Sequence, residues 1–248
     1  MSTHLLPTGI RIQWLGHATF RIEGAGRKFL VDPFLAENPR FPKELDAELR
    51  APGAFDAILL THPHFDHFAD ALPLLKGDPK LKIVTQFDIG EYLKGEGVKE
   101  DQVVGMNTGG TLPFGDIRIT MVPAIHTSSI SENGKQKALG FPIGYVVRFP
   151  NGFTLYLTGD TTVTMDMQIV RDLYQPDLVI LPIGDFYTMG PEGAAYALKL
   201  LQPKFALGCH YHTWGEMPPG TPAALEKEMA RYQLSTQLIK LKPGETLA

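Results

Sequence analysis

Thr61-His62-Pro63-His64-Phe65-Asp66-His67 is the stretch on which the reading of this chain turns. Three imidazoles and a carboxylate fall between His62 and His67. The apolar run Asp56-Ala57-Ile58-Leu59-Leu60 before them has the length of a strand, and Ala69-Asp70-Ala71-Leu72-Pro73-Leu74-Leu75 after them reads as helix. Imidazoles repel one another once protonated, so a site that clusters them usually holds a cation, for which neutral imidazole and carboxylate are ligands. A strand continuing past Leu60 turns His62 and His64 to one side, and the turn into the helix aims Asp66 and His67 at a neighbouring point. The competing reading is a solvated His-rich loop. The apolar strand that delivers the loop, and further donors at later strand ends, argue against it.

The first part of the chain reads as a meander: Ile10–Leu15, Ala18–Glu23 and Lys28–Val31, with glycine at the corners and Asp32-Pro33 at the end. Residues 34–55 carry Pro39, Pro42 and Pro52 among mixed charges and read as a long surface loop with about one helical turn. After the His-rich loop come strands at Lys80–Thr85, Val103-Val104 and Ile117–Val122, with a short helix near Ile89–Lys94. Residues 127–140 are polar and read as a mobile loop. The opening pattern then recurs. Strands Gly144–Phe149 and Phe153–Leu157 flank the turn Pro150-Asn151-Gly152, and the second ends at Thr158-Gly159-Asp160. A helix (Met165–Leu173), the strand Leu178–Leu181, a Gly-rich loop, a helix (Pro191–Leu201), the strand Phe205–Leu207 and His210 follow. A last helix (Pro222–Tyr232) and strand (Gln237–Leu241) complete the order. Asp32 and Asp160 close equivalent meanders, the mark of an internal duplication. No linker-like composition separates the halves, so the expectation is one domain, 1–248, with an α/β architecture of two packed sheets and outer helices.

The 248 residues are 44% hydrophobic and 20% charged, an ordinary globular balance. A net charge of -4 without a basic run offers no footprint for nucleic acid or anionic membrane, so neither is an expected partner. One cysteine excludes an intrachain disulfide and fits a cytoplasmic setting. Met1–Ile10 lacks the layout of a signal peptide, and no apolar run reaches the ~20 residues of a membrane span.

Three more polar residues stand at strand ends: His126, Asp160 and His210. With the opening loop they make seven donors: His62, His64, Asp66, His67, His126, Asp160 and His210. The simplest allocation places His62, His64 and His126 on one divalent ion and Asp66, His67 and His210 on a second, with Asp160 bridging. Water shared by two ions ~3.5–4 Å apart has its pKa lowered toward ~7, so hydrolysis by the resulting hydroxide is the natural reaction. Asp66 and Asp160 are the catalytic candidates: both ligate, and one accepts the proton of the attacking water. Zinc is the expected metal, with Mn, Fe and Ni served by the same donors.

This constellation resembles the metallo-β-lactamase superfamily. Trp14-Leu15-Gly16-His17-Ala18-Thr19, Val31-Asp32-Pro33-Phe34, Gly159-Asp160-Thr161, Leu181-Pro182-Ile183-Gly184-Asp185, Thr188-Met189-Gly190-Pro191 and His210-Tyr211 narrow the resemblance. They are similar to a branch of small metal-dependent hydrolases related to ascorbate-6-phosphate lactonases. The resemblance implies a four-layer αββα sandwich of two mixed sheets with outer helices, and a dinuclear site at one sheet edge. It also implies Asp32 as a carboxylate orienting a ligand histidine, a small-molecule lactone, ester or phosphoester substrate, and a homo-oligomer. Pro63 replaces a glycine common in relatives and suits extended backbone. His212 stands where many relatives have asparagine; in a strand it would face the same side as His210, which leaves it as the alternative ligand to His210 or else a residue beside the ligands or at the rim.

His17 follows Gly16 after a strand and is a candidate to orient a ligand or touch substrate; the alternative is a buried, hydrogen-bonded histidine. Asp185, Tyr187 and Thr188 lie on a Gly-flanked loop and are candidate pocket residues, with His212 at its rim. Lys135 and Lys137 are candidates to meet substrate anions, or are simply solvated. Cys209 reads as structural. Two rival activities use a similar site. A phosphodiesterase or nuclease shares its chemistry, but the chain is acidic and the short interval from Asp160 to His210 leaves no room for a nucleic-acid domain. A diiron redox protein of the flavo-diiron kind has Glu in place of His64 and a flavin domain, and this chain has neither. A non-catalytic metal-binding or interaction protein would be favoured if a ligand were missing, and none is.

Overall fold

The computed structural model describes residues 5–215 and 220–248; the first four residues of the segment examined for a leader lie outside it. In chain order the strands are β1 (Arg11–Trp14), β2 (Phe20–Gly24), β3 (Arg27–Val31), β4 (Ala57–Leu59), β5 (Lys82–Gln86), β6 (Val103–Met106), β7 (Thr111–Phe114), β8 (Ile117–Pro123), β9 (Ser129–Glu132), β10 (Lys135–Ala138), β11 (Ile143–Arg148), β12 (Thr154–Leu157), β13 (Leu178–Pro182), β14 (Phe205–Cys209), β15 (Gln237–Ile239) and β16 (Thr246–Leu247). The helices are α1 (Asp46–Leu49), α2 (Phe65–Phe68), α3 (Ala71–Gly77), α4 (Phe87–Gly95), α5 (Asp166–Tyr174), α6 (Pro191–Leu201) and α7 (Pro222–Arg231). The class is α/β, with two mixed seven-stranded sheets. The chain divides into two compact units, the first made of Met1–Asn107, Thr127–Phe141 and Leu241–Ala248, the second of Thr108–His126 and Pro142–Lys240.

In the first unit the sheet runs β16-β1-β2-β3-β4-β5-β6. Its pairings are antiparallel up to β3 and parallel from β3 to β6. In the second it runs β7-β8-β11-β12-β13-β14-β15, antiparallel up to β12 and parallel beyond. The two sheets therefore share one pairing pattern, and Asp32 and Asp160 follow the equivalent strands β3 and β12, as the duplication in the sequence implied. Parallel neighbours present their carboxyl ends on the same edge, the place where loops of such sheets carry chemistry.

Each unit has its own apolar core. Leu30, Ile58 and Ile83 from the first sheet pack with Leu75, Ile89 and Leu93 from α3 and α4, all buried. Each such side chain contributes about 1.5–3 kcal/mol of transfer free energy. Val146, Tyr156 and Val179 of the second sheet pack with Met167, Ala194, Leu198 and Leu225 from α5, α6 and α7. The Gln86 side chain accepts from the amides of Asp88 and Ile89 and so caps α4. Thr221 caps α7 through the Ala224 amide, with proline in the first turn. No helix among the described residues is long and apolar enough to cross a membrane.

Four expectations are corrected. Residues 34–55 are not a surface loop throughout, since Phe34, Leu35, Phe41, Leu49 and Phe55 are buried. Asp70 holds the start of this segment by accepting from the Leu35 and Ala36 amides and from Arg50. Residues 127–140 form the hairpin β9–β10, whose turn residues Asn133 and Gly134 both have positive φ, 51° and 74°. Asn-Gly is the two-residue hairpin turn that prefers this geometry. Strands β7 and β16 had not been expected. Pro113 disguised the first, which lies at a sheet edge where proline is tolerated. Finally, β14 stops at Cys209, and His210 and His212 both have positive φ, 58° and 52°. The strand geometry expected to align those two side chains is therefore absent.

Candidate metal centre

In the first unit, Asp32 leaves β3 with φ 43°, and the segment after β4 carries the histidines. Asp32 is buried and accepts from the Thr61 amide at 2.7 Å and from the Thr61 hydroxyl at 2.7 Å, and its Oδ2 lies 2.8 Å from His67 Nδ1. Burial pushes its carboxyl above the ordinary range, against the opposing pull of His67 and the Thr61 donors. A donor hydrogen on His67 Nδ1 leaves Nε2 as the ligating nitrogen, the arrangement by which a carboxylate orients a metal-binding imidazole. His17, also buried, places Nε2 2.9 Å from Asp66 Oδ2. One ligand atom each of His17, Asp66 and His67 lie within 4.8 Å of one another.

His62 is fully buried; its Nδ1 lies 3.0 Å from the Thr61 hydroxyl and its Nε2 3.0 Å from Nδ1 of His64. His64 is extended (φ -61°, ψ 148°) before α2, as Pro63 permits, and its Nε2 lies 3.3 Å from the Thr127 hydroxyl. Two nitrogens bound to one tetrahedral zinc at ~2.0–2.1 Å are about 3.3 Å apart. The spacing of the His62 and His64 nitrogens, and their chemistry, fit a shared cation.

The second unit supplies the other donors. Asp160 is buried, with Oδ2 3.1 Å from His210 Nε2 and 3.7 Å from His126 Nε2. One carboxylate oxygen thus lies within ion-pair distance of two imidazoles that come from strand ends far apart in the chain. Thr161 ties these ends together: its hydroxyl accepts from the Ile125 amide at 3.0 Å, and its carbonyl accepts from the Met189 amide at 3.3 Å. His210 is held by close packing, because a Cβ on Gly184 would fall 1.9 Å from the His210 carbonyl oxygen. Asp185 has φ 66° and accepts from the Phe186 amide, while Tyr187 and Phe186 are exposed at 60% and 71%. Thr188 donates to the Met189 carbonyl, so its hydroxyl is engaged within the loop. His212 is half-buried beside the Tyr211 ring. Lys137 pairs with Glu132 across the hairpin.

The structure thus gathers His17, Asp32, His62, His64, Asp66 and His67 within one unit and His126, Asp160 and His210 within the other. Three threonines make contacts to which the sequence pattern assigns no role: Thr61, Thr127 and Thr161. The available signal was adjacency, because Thr61-His62, His126-Thr127 and Asp160-Thr161 each set a hydroxyl beside a metal-type ligand.

Residues 27–211 match the model of the beta-lactamase superfamily domain. A UPF0173 metal-dependent hydrolase of Roseiflexus castenholzii is 48% identical over 238 residues, covering 96% of each chain. Another, from Methanopyrus kandleri, is 40% identical over 242 residues, covering 96% of this chain and 99% of the relative. Among solved structures, Igni18, a metallo hydrolase from Ignicoccus hospitalis, superposes with a TM-score of 0.80 at 28% identity, over 96% of this chain and 97% of that one. With this metal-type donor chemistry and these relatives, the chain belongs to the beta-lactamase superfamily and, within it, to the UPF0173 metal-dependent hydrolases.

Proposed function

We propose that the two donor sets form one dinuclear centre within a single catalytic domain, and that it hydrolyses a lactone, ester or phosphoester bond of a small molecule. The observation that carries this reading is the 3.0 Å approach of His62 Nε2 and His64 Nδ1, two imidazole nitrogens held together in a largely buried setting. The position of Asp160 between His126 and His210 supports its role as the bridging carboxylate. Bound divalent ions, zinc first among them, would supply an acidified water and a Lewis acid for the substrate oxygen.

The chain's own residues do the rest. Asp32 fixes the ring of His67. His17 holds Asp66 through Oδ2 and so orients the carboxylate beside His67. The exposed Phe186–Tyr187 pair, edge to face at 4.7 Å, offers an apolar contact for substrate. The net charge of -4 favours a small molecule over nucleic acid. The test is a panel of lactones, phosphodiesters and β-lactams on metal-replete protein. Turnover of a lactone or small phosphoester supports the proposal, and cleavage of polynucleotide alone would replace it with a nuclease.

A further inference from the structure

Thr61 has one hydroxyl proton and two partners, and where that proton goes decides the protonation of a buried histidine. The 2.7 Å separation of Thr61 Oγ1 and Asp32 Oδ2 is an O–H···O distance, and Asp32 also accepts from the Thr61 amide and lies 2.8 Å from His67 Nδ1. The Thr61 amide donates to Oδ1 and the Thr61 hydroxyl to Oδ2, so both carboxyl oxygens act as acceptors toward this residue. The proton between the two oxygens is therefore threonine's. Thr61 Oγ1 must then act as acceptor toward His62 Nδ1 at 3.0 Å, so that nitrogen carries the hydrogen. The opposite assignment leaves two oxygens in contact without a proton between them.

Resting on the dinuclear reading above, we infer that Thr61 is a positioning residue that relays Asp32 onto His62, so that one carboxylate sets the tautomer of two imidazoles. His67 is set directly through Nδ1, and His62 through the threonine hydroxyl; both present Nε2 as ligand. The relay leaves His64 as the adjustable member. Without metal, its Nδ1–H donates to His62 Nε2 at 3.0 Å, and its Nε2 accepts from the Thr127 hydroxyl at 3.3 Å. For Nδ1 to ligate, the proton must appear on Nε2 instead. Thr127 remains a partner there, because a hydroxyl both donates and accepts.

The test is long-range 15N–1H correlation of the histidine rings in chelator-stripped protein, about two pH units above the usual imidazole pKa of ~6.5. It is combined with metal affinity measured by chelator competition. The expected result is His62 and His67 as Nδ1–H tautomers in the wild type. Thr61→Val should lose that preference at His62 and weaken metal binding ~10–100-fold, while Thr61→Ser keeps both. An Nε2–H tautomer at His62 in the wild type, or Thr61→Val with wild-type affinity, overturns the inference. The tautomer measurement needs neither metal nor a variant. If the wild type bound no metal at all, the dinuclear reading would fail while the relay was still judged on its own.

Discussion

His17 Nε2 and Asp66 Oδ2 meet at 2.9 Å, 49 positions apart in the chain. His17 has φ 55° and its carbonyl accepts from the Trp14 indole at 3.0 Å, so the ring is anchored from behind while its edge faces the carboxylate. A histidine in the left-handed region carries a conformational cost that its surroundings must offset. His17→Ala should leave the fold intact but lower metal affinity ~10–100-fold, as is usual when a residue orienting a ligand is lost. His17→Gln, which keeps a donor, should retain more. Metal content of the two purified variants checks this; full metal loading in His17→Ala would rule out the positioning role.

Gly184 supports His210 by having no side chain. A Cβ there meets the His210 carbonyl oxygen at 1.9 Å, a backbone atom that cannot swing aside. Gly184→Ala should cost ~1–3 kcal/mol in denaturant unfolding and disturb His210. Unchanged stability would mean that the β13–α6 loop is more yielding than its packing implies.

Asp78 should shape stability in acid. It ends α3 and accepts from the Gly53 amide at 2.7 Å and the Lys80 amide at 2.9 Å. Burial raises its pKa, but the backbone donors of Gly53, Lys80 and Leu81 outweigh burial and hold it below the ordinary value of 3.8. A depressed carboxyl pKa stabilises the fold above the unfolded value, and the benefit disappears as pH falls through the folded one. Asp78→Asn should therefore be ~1–2 kcal/mol less stable than wild type at neutral pH, with the gap closing below pH ~3.8. Urea unfolding across pH 3–7 would show it, and a gap independent of pH would contradict it.

The Asn133-Gly134 turn sets the hairpin β9–β10. Gly134→Ala places a side chain at φ 74° and should cost ~1 kcal/mol, confined to the hairpin. Amide exchange between Ser129 and Ala138 should quicken while metal content stays unchanged. Loss of metal would tie the hairpin to the centre more tightly than the His64–Thr127 contact suggests.

The parts of this molecule legible in sequence were those with strong local signals. The run Asp56–Leu60 and the histidines after it marked a strand and a metal-type loop, and Asp32 and Asp160 marked equivalent meander ends. What was hidden depended on tertiary neighbours. Residues 34–55 look polar and proline-broken, yet Phe41, Leu49 and Phe55 anchor them in the core. Pro113 masked β7, whose edge position is invisible without the sheet. The positive φ of His210 and His212 follows from packing that no local pattern encodes. Asn133-Gly134 is different: the turn signal stood in the sequence, but the surrounding polarity obscured it. The threonine hydroxyls at Thr61, Thr127 and Thr161 gain meaning only once their partners are in place.

The proposed hydrolase works through metal held by His62, His64, Asp66, His67, His126, Asp160 and His210. The direct measurement is metal equivalents per chain alongside turnover of a responsive lactone or phosphoester, before and after chelation and in His64→Ala. Two equivalents per chain are expected, with activity lost on chelation and restored by zinc or manganese, and both metal and activity diminished in His64→Ala. Turnover that survives chelation, or full metal content and activity in His64→Ala, would contradict it.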